Sequence, residues 1–178
     1  PQGSFLLHRF TVAGQDRWSE FDQLSREFLT LLTSPAKAHR LVVACVLHIA
    51  HAQIRYLCTA TCPRAQALVQ FEPLVRLSEQ LRLGGSAYVA HSLLFRATEK
   101  WIQGDGDKAE RLLVEAQRSA EQSGIVWVVM AVAYVRAYML LERNQHEAAQ
   151  NQARVAAMFA RRYCHQCYLR DLRRDFHV

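Results

Sequence analysis

Alanines recur at a forty-residue interval in the second half of the chain, and this interval constrains the fold more than any other feature. Four alanines are each followed by another alanine forty positions later: Ala97 and Ala137, Ala109 and Ala149, Ala116 and Ala156, Ala120 and Ala160. Two helices approach closely only where their facing side chains are small. The interval therefore predicts antiparallel helical hairpins, with Leu93, Trp101, Leu112 and Leu113 filling the space around the alanines. One hairpin cannot bury its apolar faces alone, so successive hairpins are expected to stack.

Turn residues divide the two best hairpins into helices. The first hairpin is predicted to have helices over residues 86–103 and 108–122, with the turn "GDGD" between them. The second is predicted over 126–143 and 147–162, with "NQH" between them, and Gly124 closes the helix before it. A phosphate-binding loop is the alternative for "QGDGDKAE", but that loop follows a strand and ends in Gly-Lys-Ser/Thr. A turn between two helices is therefore the preferred interpretation.

Composition supports an all-α fold. The chain has 178 residues, 51% of them hydrophobic, with only seven glycines and four prolines. Helix-forming residues are abundant, and no long stretch alternates as a strand does. We predict a single domain of about seven or eight helices. Its repeats divide as 1–34 (partial), 35–85, 86–124 and 125–164, and residues 165–178 begin a further helix. Pro73 is expected to start or kink a helix in the repeat 35–85.

The spacing of small residues resembles the tetratricopeptide repeat (TPR). The match lies at four positions of the first unit: Ala97, Gly104, Ala109 and Ala116. The second unit matches forty positions later, with Asn144 in place of the turn glycine. The chain departs from the family in its period, which is 34 residues in the family, in the missing closing proline, and in Lys100 where an aromatic residue is common. The resemblance implies a TPR-like right-handed superhelix, in which the first helix of each hairpin lines the concave face.

The phrases "KWIQGDGDKAERLLVEAQRSAEQSG" and "YMLLERNQHEAAQNQARVAA" also resemble the helical-repeat domains of large bacterial transcription regulators, such as the MalT-type members of the LuxR family. This resemblance covers roughly residues 86–162. It implies a sensing or regulatory region that binds a small effector or a protein partner. No nucleophile–base pair, paired-carboxylate site or nucleotide motif is evident, so we predict a non-enzymatic domain without a cofactor. Five cysteines without a preceding signal peptide indicate reduced thiols in the cytoplasm. The start without methionine and the basic last segment fit a piece excised from such a protein, whose ATPase and DNA-binding domains would lie elsewhere. Two alternatives are a stand-alone scaffold or chaperone adaptor that binds peptides, and a thiol- or zinc-dependent sensor.

Two arginines and several aromatic residues are candidate ligand contacts. Arg96 and Arg136 occupy equivalent positions on the first helix of each hairpin, where two aligned guanidinium groups could hold an anionic group. Five aromatic residues could line the same groove and hold a peptide or a small molecule: Tyr88, Trp101, Trp127, Tyr134 and Tyr138. The alternative is ordinary packing, because aromatic residues most often fill cores and surface arginines are usually solvated.

Two cysteine pairs are weaker candidates for metal or thiol chemistry. Cys58 with Cys62, and Cys164 with Cys167, could together bind zinc, but the pairs lie 102 residues apart in different hairpins. "CHQC" also has the C-x-x-C spacing of redox motifs, without the strand–helix context that such motifs use. We therefore expect no metal site, and cysteines that act as small packing residues.

The positive charge is concentrated at one end of the chain. The formal charge is +6 at pH 7, and the eighteen residues from Arg161 contribute five arginines and two aspartates. These arginines alternate with apolar residues and fit an ordinary amphipathic helix, so no direct nucleic-acid binding is expected. The apolar run 125–141 contains Arg136 and is predicted to be a buried helix, not a membrane span. Exposed apolar faces at the ends of a stacked array would favour a homodimer.

Overall fold

The computed structural model describes residues 40–59, 64–81 and 86–178. Only α-helices and turns occur in this part of the chain, so the predicted all-α class is confirmed. The predicted partial repeat 1–34, and residues 82–85 at the end of the predicted repeat 35–85, lie outside the described residues. By its internal contacts the chain divides into two compact regions, one ending at Tyr56 and the other beginning at Leu57. All described helices from Arg64 onward belong to the later region.

Seven helices are described, in agreement with the expected number. They are α1 Arg40–Thr59, α2 Arg64–Leu81, α3 Ser86–Ile102, α4 Gly106–Gln122, α5 Val126–Glu142, α6 His146–Arg162 and α7 Gln166–Phe176. The helices α3 to α6 are each 17 residues long, and from α3 onward a new helix begins every twenty residues. The predicted bounds of these four helices differ from the structure by at most two residues. Their stacking as a superhelix stays a prediction.

The four turns between α3 and α7 share one backbone geometry. In each turn the middle of three residues has a positive φ: Gly104 (88°), Gly124 (67°), Asn144 (57°) and Cys164 (58°). The next residue donates its backbone N–H to the carbonyl five positions earlier, which is the 6→1 bond of a Schellman turn. Glycine has no Cβ to clash in this conformation and asparagine tolerates it. For cysteine, the left-handed conformation costs about 1 kcal/mol or more of conformational free energy. The common turn explains why the helices begin at a constant interval.

The turn "GDGD" caps a helix. Asp105 is the N-cap of α4, and its side chain accepts a hydrogen bond of 3.1 Å from the backbone N–H of Lys108. Asp107 lies in the first turn, where its negative charge is favoured by the positive end of the helix dipole. The predicted helical turn is therefore confirmed, although α4 begins two residues earlier than expected, at Gly106.

The repeated alanines form the buried contacts of the hairpins. All eight are fully buried, and the predicted neighbours Leu93, Trp101, Leu112 and Leu113 are buried with them. Helix α5 contacts α3, α4 and α6, so ten of its residues are buried. This burial on several sides accounts for its almost entirely apolar sequence. None of the described helices combines the length and the apolar character that a membrane crossing needs.

Helix α2 continues through Pro73, so this proline does not start a helix, and the alternative expectation of a kink stays a prediction. Pro73 is exposed, and the carbonyl whose helical bond it removes belongs to Val69, which is also exposed to solvent. Water can therefore replace the lost hydrogen bond. The buried side of α2 packs against α3, where the ring of Phe71 meets the ring of Phe95 edge-on with centroids 6.2 Å apart.

Candidate functional site

Arg96 on α3 and Arg136 on α5 each form an ion pair with the preceding helix. Arg96 Nε lies 3.5 Å from Glu79 Oε1 of α2. Arg136 Nε lies 2.9 Å from Glu110 Oε1 of α4, and Arg136 Nη1 donates to Gln117 Oε1 over 3.2 Å. Both arginines are half-buried. The two side chains predicted to hold an anion therefore already have carboxylate partners within the chain, and these partners were not identified from the sequence.

Three of the predicted groove aromatics are buried between helices: Trp101, Tyr134 and Tyr138. The Trp101 indole Nε1 donates to Glu142 Oε2 over 2.7 Å and so connects α3 to the end of α5. The rings of Tyr134 and Tyr138 pack together with centroids 5.0 Å apart. A ligand would reach these three rings only if helices separated. Of the predicted set, Tyr88 and Trp127 are half-buried together with the two arginines. We call Tyr88, Arg96 and Arg136 the first-helix face, and its role in binding stays a prediction.

Two aspartates of α7 lie opposite two tyrosines of α5. The Tyr134 hydroxyl donates to Asp171 Oδ2 over 3.3 Å, and the Tyr138 hydroxyl donates to Asp175 Oδ2 over 2.5 Å. Both pairs span 37 residues, because each helix presents its two side chains four residues apart. Asp171 is only 2% exposed, so its bond to Tyr134 satisfies a carboxylate that has left water. We call these four residues the tyrosine–aspartate ladder.

The ladder changes the ionisation of its members. Burial raises the pKa of the Tyr138 hydroxyl, and its hydrogen bond to Asp175 raises it further. Burial opposes ionisation of Asp175, but hydrogen bonds from Arg174 and Tyr138 outweigh it and lower the pKa of that carboxyl. Arg174 Nε lies 2.6 Å from Asp175 Oδ1, and this bond raises the pKa of the guanidinium. The ladder therefore holds a neutral phenol against a stabilised carboxylate.

Trp127 at the start of α5 is covered by the turn before α7. The indole stacks on the His165 ring with centroids 5.3 Å apart and planes 20° apart. His165 also meets the ring of Tyr168 edge-on at 6.3 Å. Burial in this contact lowers the pKa of His165, which favours the neutral imidazole. Trp127 thus serves as a platform for the α6–α7 turn, so less of its ring is available to a ligand.

The cysteine candidates occupy separate environments. Cys164 is exposed and forms the left-handed turn before α7, while Cys167 is half-buried in the first turn of that helix. Cys58 near the end of α1 is half-buried, and Cys62 lies outside the described residues. Among the residues that the structure describes, no three His, Cys, Asp or Glu side chains come together as a metal site requires. The expectation of a packing role is wrong for Cys164, whose position is set by the turn.

The aspartates of α7 and the glutamate partners of the arginines were missed by sequence reasoning. The aspartates could have been found, since Asp171 and Asp175 have the same four-residue spacing as Tyr134 and Tyr138. A tyrosine pair facing an aspartate pair one unit later is a pattern that the repeat makes visible. The glutamates carry no such signal, because Glu79 and Glu110 do not occupy equivalent repeat positions.

Comparisons with known proteins give no further guide to this site. The chain matches no protein-family model, and no curated protein or solved structure is significantly similar to it.

Proposed function

We propose that the chain is a non-enzymatic helical-repeat domain that binds an anionic group, carried by a small effector or a protein partner, at the first-helix face. The observation that carries this proposal is the recurrence of Arg96 and Arg136. The same position of two consecutive units holds a half-buried arginine whose guanidinium is paired with a glutamate of the preceding helix. Helices α3 and α5 contact each other, so the two arginines lie on neighbouring helices.

Exchange of the glutamates for a ligand is energetically accessible. The side chains of Glu79 and Glu110 are 48% and 41% exposed, whereas those of Arg96 and Arg136 are 31% and 14% exposed. Solvent can therefore reach the glutamate side of both pairs, and pairs that are fully exposed contribute only about 0–1 kcal/mol. An incoming carboxylate or phosphate can form two parallel hydrogen bonds with a guanidinium, which are stronger than a single contact. The free protein therefore keeps its arginines ordered and neutralised until a ligand replaces the internal carboxylates.

The resemblance to MalT-type LuxR regulators supports a place for this domain in signal sensing by a bacterial transcription regulator in the cytoplasm. In that setting, ligand or partner binding would be communicated to ATPase and DNA-binding domains in other parts of the protein. Binding of nucleic acid by this segment is not part of the proposal.

A thermal-shift screen against phosphorylated sugars, nucleotides, amino acids and acyl lactones tests the proposal. A ligand present at a hundredfold its Kd adds about 2.7 kcal/mol of stability, and this gain should disappear in the double variant Arg96→Gln/Arg136→Gln. Arg111→Gln/Arg118→Gln is the matched control, because it removes two exposed arginines from α4. A ligand that stabilises both double variants equally would contradict the site. A complete absence of stabilisation would contradict the small-effector form of the proposal.

A thiol-dependent sensor is a second candidate, favoured by one observation. Cys164 occupies a left-handed turn position where the three preceding turns have Gly104, Gly124 and Asn144, so the chain accepts strain to keep a thiol there. With hydrogen peroxide as oxidant, Cys164 and Cys167 would lose two hydrogens to form a disulfide while the peroxide is reduced to water. Mass spectrometry after peroxide treatment should find this internal disulfide, and its absence would remove the candidate.

A further inference from the structure

Helices α4 and α6 are equivalent in consecutive units, but their solvent-exposed faces differ. Nine residues of α6 are exposed: His146 and Glu147 in its first turn, and then Ala148, Asn151, Arg154, Val155, Met158, Arg161 and Arg162, which we call its outward face. At its centre, Val155 and Met158 are 39% and 56% exposed. Forty positions earlier, α4 has Glu115 and Arg118, which are also exposed. The repeat therefore tolerates charged residues at these positions, and packing within the chain does not require the apolar pair of α6.

The exposed residues of α6 follow the spacing of a helix-packing seam. Ala148, Asn151, Val155, Met158 and Arg162 are separated by three, four, three and four residues, which is the a/d pattern of a coiled coil. The helix has 17 residues and is therefore about 25 Å long. A seam of this spacing and length suits a second helix better than an extended peptide, which would contact alternate residues of a strand.

Positive charge surrounds this seam. No acidic residue occurs between Glu147 and Asp171, whereas four arginines do. Arg154 donates to the neutral Asn151 side chain over 3.0 Å, and the Arg162 guanidinium lies 5.9 Å from the centre of the Tyr163 ring. Within the described part of the chain, no carboxylate forms an ion pair with Arg154, Arg161 or Arg162. In contrast, the exposed face of α4 mixes both signs of charge around Val114: Asp107, Lys108, Arg111, Glu115, Arg118 and Glu121.

We propose that the outward face of α6 docks an acidic amphipathic helix of a protein partner. Apolar residues of that helix would cover Val155 and Met158, and its flanking carboxylates would pair with Arg154 and Arg161, which lie at the edge of the seam. A second copy of this chain fits less well, because α6 has one carboxylate, Glu147, against three arginines, and a symmetric contact would leave like charges opposed. This surface is separate from the first-helix face, so the two proposals stand or fall independently.

A synthetic peptide tests the docking surface directly. The probe is a three-heptad helix with leucine at the a and d positions and glutamate at e and g, whose like charges oppose self-association. Its affinity for the full 178-residue chain is measured by fluorescence anisotropy, beside a version with lysine at e and g. We expect micromolar or tighter binding of the acidic peptide and at least tenfold weaker binding of the basic one.

Two double variants separate the apolar and charged contributions. Val155→Glu/Met158→Arg introduces the residues that α4 has at these positions and leaves the net charge unchanged. It should lower the affinity for the acidic peptide at least tenfold. Arg154→Gln/Arg161→Gln should lower the affinity for the acidic peptide by a similar factor and make that affinity less dependent on salt. Val114→Arg, which gives α4 the residue that α6 has at that position, is the control and should bind like the unaltered chain. Circular dichroism melting of each variant establishes that the helices are retained.

Several results would overturn the proposal. No binding of the acidic peptide would do so, as would equal affinity for the acidic and basic peptides or undiminished affinity in Val155→Glu/Met158→Arg. A DNA oligonucleotide is the remaining probe. If it bound more tightly than the acidic peptide and depended on Arg154 and Arg161 but not on Val155 and Met158, the face would be a nucleic-acid contact instead.

Discussion

The junction between α3 and α5 and the junction between α5 and α7 occupy equivalent places in consecutive units, yet different side chains fill them. The second contains the tyrosine–aspartate ladder, with Tyr134 and Tyr138 opposite Asp171 and Asp175. Forty positions earlier, the corresponding residues are Leu94, Thr98, Ala131 and Val135, all buried. The same helix interval therefore accommodates apolar packing at one junction and hydrogen-bonded carboxylates at the next.

This comparison distinguishes the residues that set the backbone repeat from the residues that differ between units. The turns and the buried alanines recur in both units, so they set the interval between helices. The side chains between the first helices vary without changing that interval. The ladder consequently makes the α5–α7 junction sensitive to charge and pH, while the α3–α5 junction depends mainly on apolar burial.

The largest expected effect is the loss of a buried ring from the ladder. Tyr134 is fully buried, and Tyr134→Ala should lower the free energy of unfolding by about 3–5 kcal/mol, as other large-to-alanine changes in cores do. Leu94→Ala at the equivalent position of the other junction should cost about 2–5 kcal/mol. Urea denaturation measures both losses. A cost below about 1 kcal/mol for Tyr134→Ala would mean that α7 does not pack against α5 as described.

A smaller effect is expected when only a hydroxyl is removed. Tyr138→Phe takes away a donor from Asp175 and should cost about 1–2 kcal/mol, since hydrogen bonds to charged groups are stronger than neutral ones. Thr98→Val is the counterpart, because the Thr98 hydroxyl donates over 3.0 Å only to the carbonyl of Leu94 in its own helix. The proposed difference between the two junctions would be contradicted if chemical denaturation gave the same loss in free energy of unfolding for both variants.

The turns allow a prediction of opposite sign. Cys164→Gly should stabilise the chain by about 0.5–1 kcal/mol, because glycine adopts a positive φ without strain but loses more entropy on folding. Gly124→Cys at the preceding unit should destabilise it by a similar amount. Thermal unfolding of the two variants checks the pair, and a loss of stability in Cys164→Gly would show that the thiol makes a contact worth more than the strain.

The smallest effect is the pH dependence contributed by Asp175 of the ladder. The pKa of Asp175 is lowered in the folded chain, and an unfolded aspartate has a pKa of about 3.9. Its stabilising contribution is therefore fully present above about pH 5 and is lost as the pH falls through 4 toward the folded value. The stability difference between the unaltered chain and Asp175→Asn should shrink between pH 6 and pH 3. A difference that stays constant over this range would contradict the assignment.

The helices were predictable because their signals are local. Small residues at a fixed interval and glycine at the turns identify the bounds of α3 to α6 to within two residues. Cys164 was missed because a C-x-x-C spacing suggests thiol or metal chemistry, and nothing in the spacing alone marks a left-handed turn. The interval of twenty residues from Gly104 and Gly124 would have marked it.

The candidate site was less predictable because it depends on contacts between units. The equivalence of Arg96 and Arg136 was visible, but their glutamate partners lie on neighbouring helices at unrelated repeat positions. Similarly, an aromatic residue in a repeat indicates either a groove or a packed interior. Tyr134, Tyr138 and Trp101 are buried in the structure, and each donates a hydrogen bond to a residue on another helix, which satisfies its polar group.

The central claim is that a repeated backbone tolerates changes between units and that those changes carry binding. The most direct measurement is the affinity of the acidic three-heptad peptide for the chain and for Val155→Glu/Met158→Arg, whose new residues are those of α4. The account predicts an unchanged melting temperature and at least tenfold weaker binding in the variant. Undiminished binding, or a loss of helical structure caused by residues that α4 accommodates at the same positions, would contradict it.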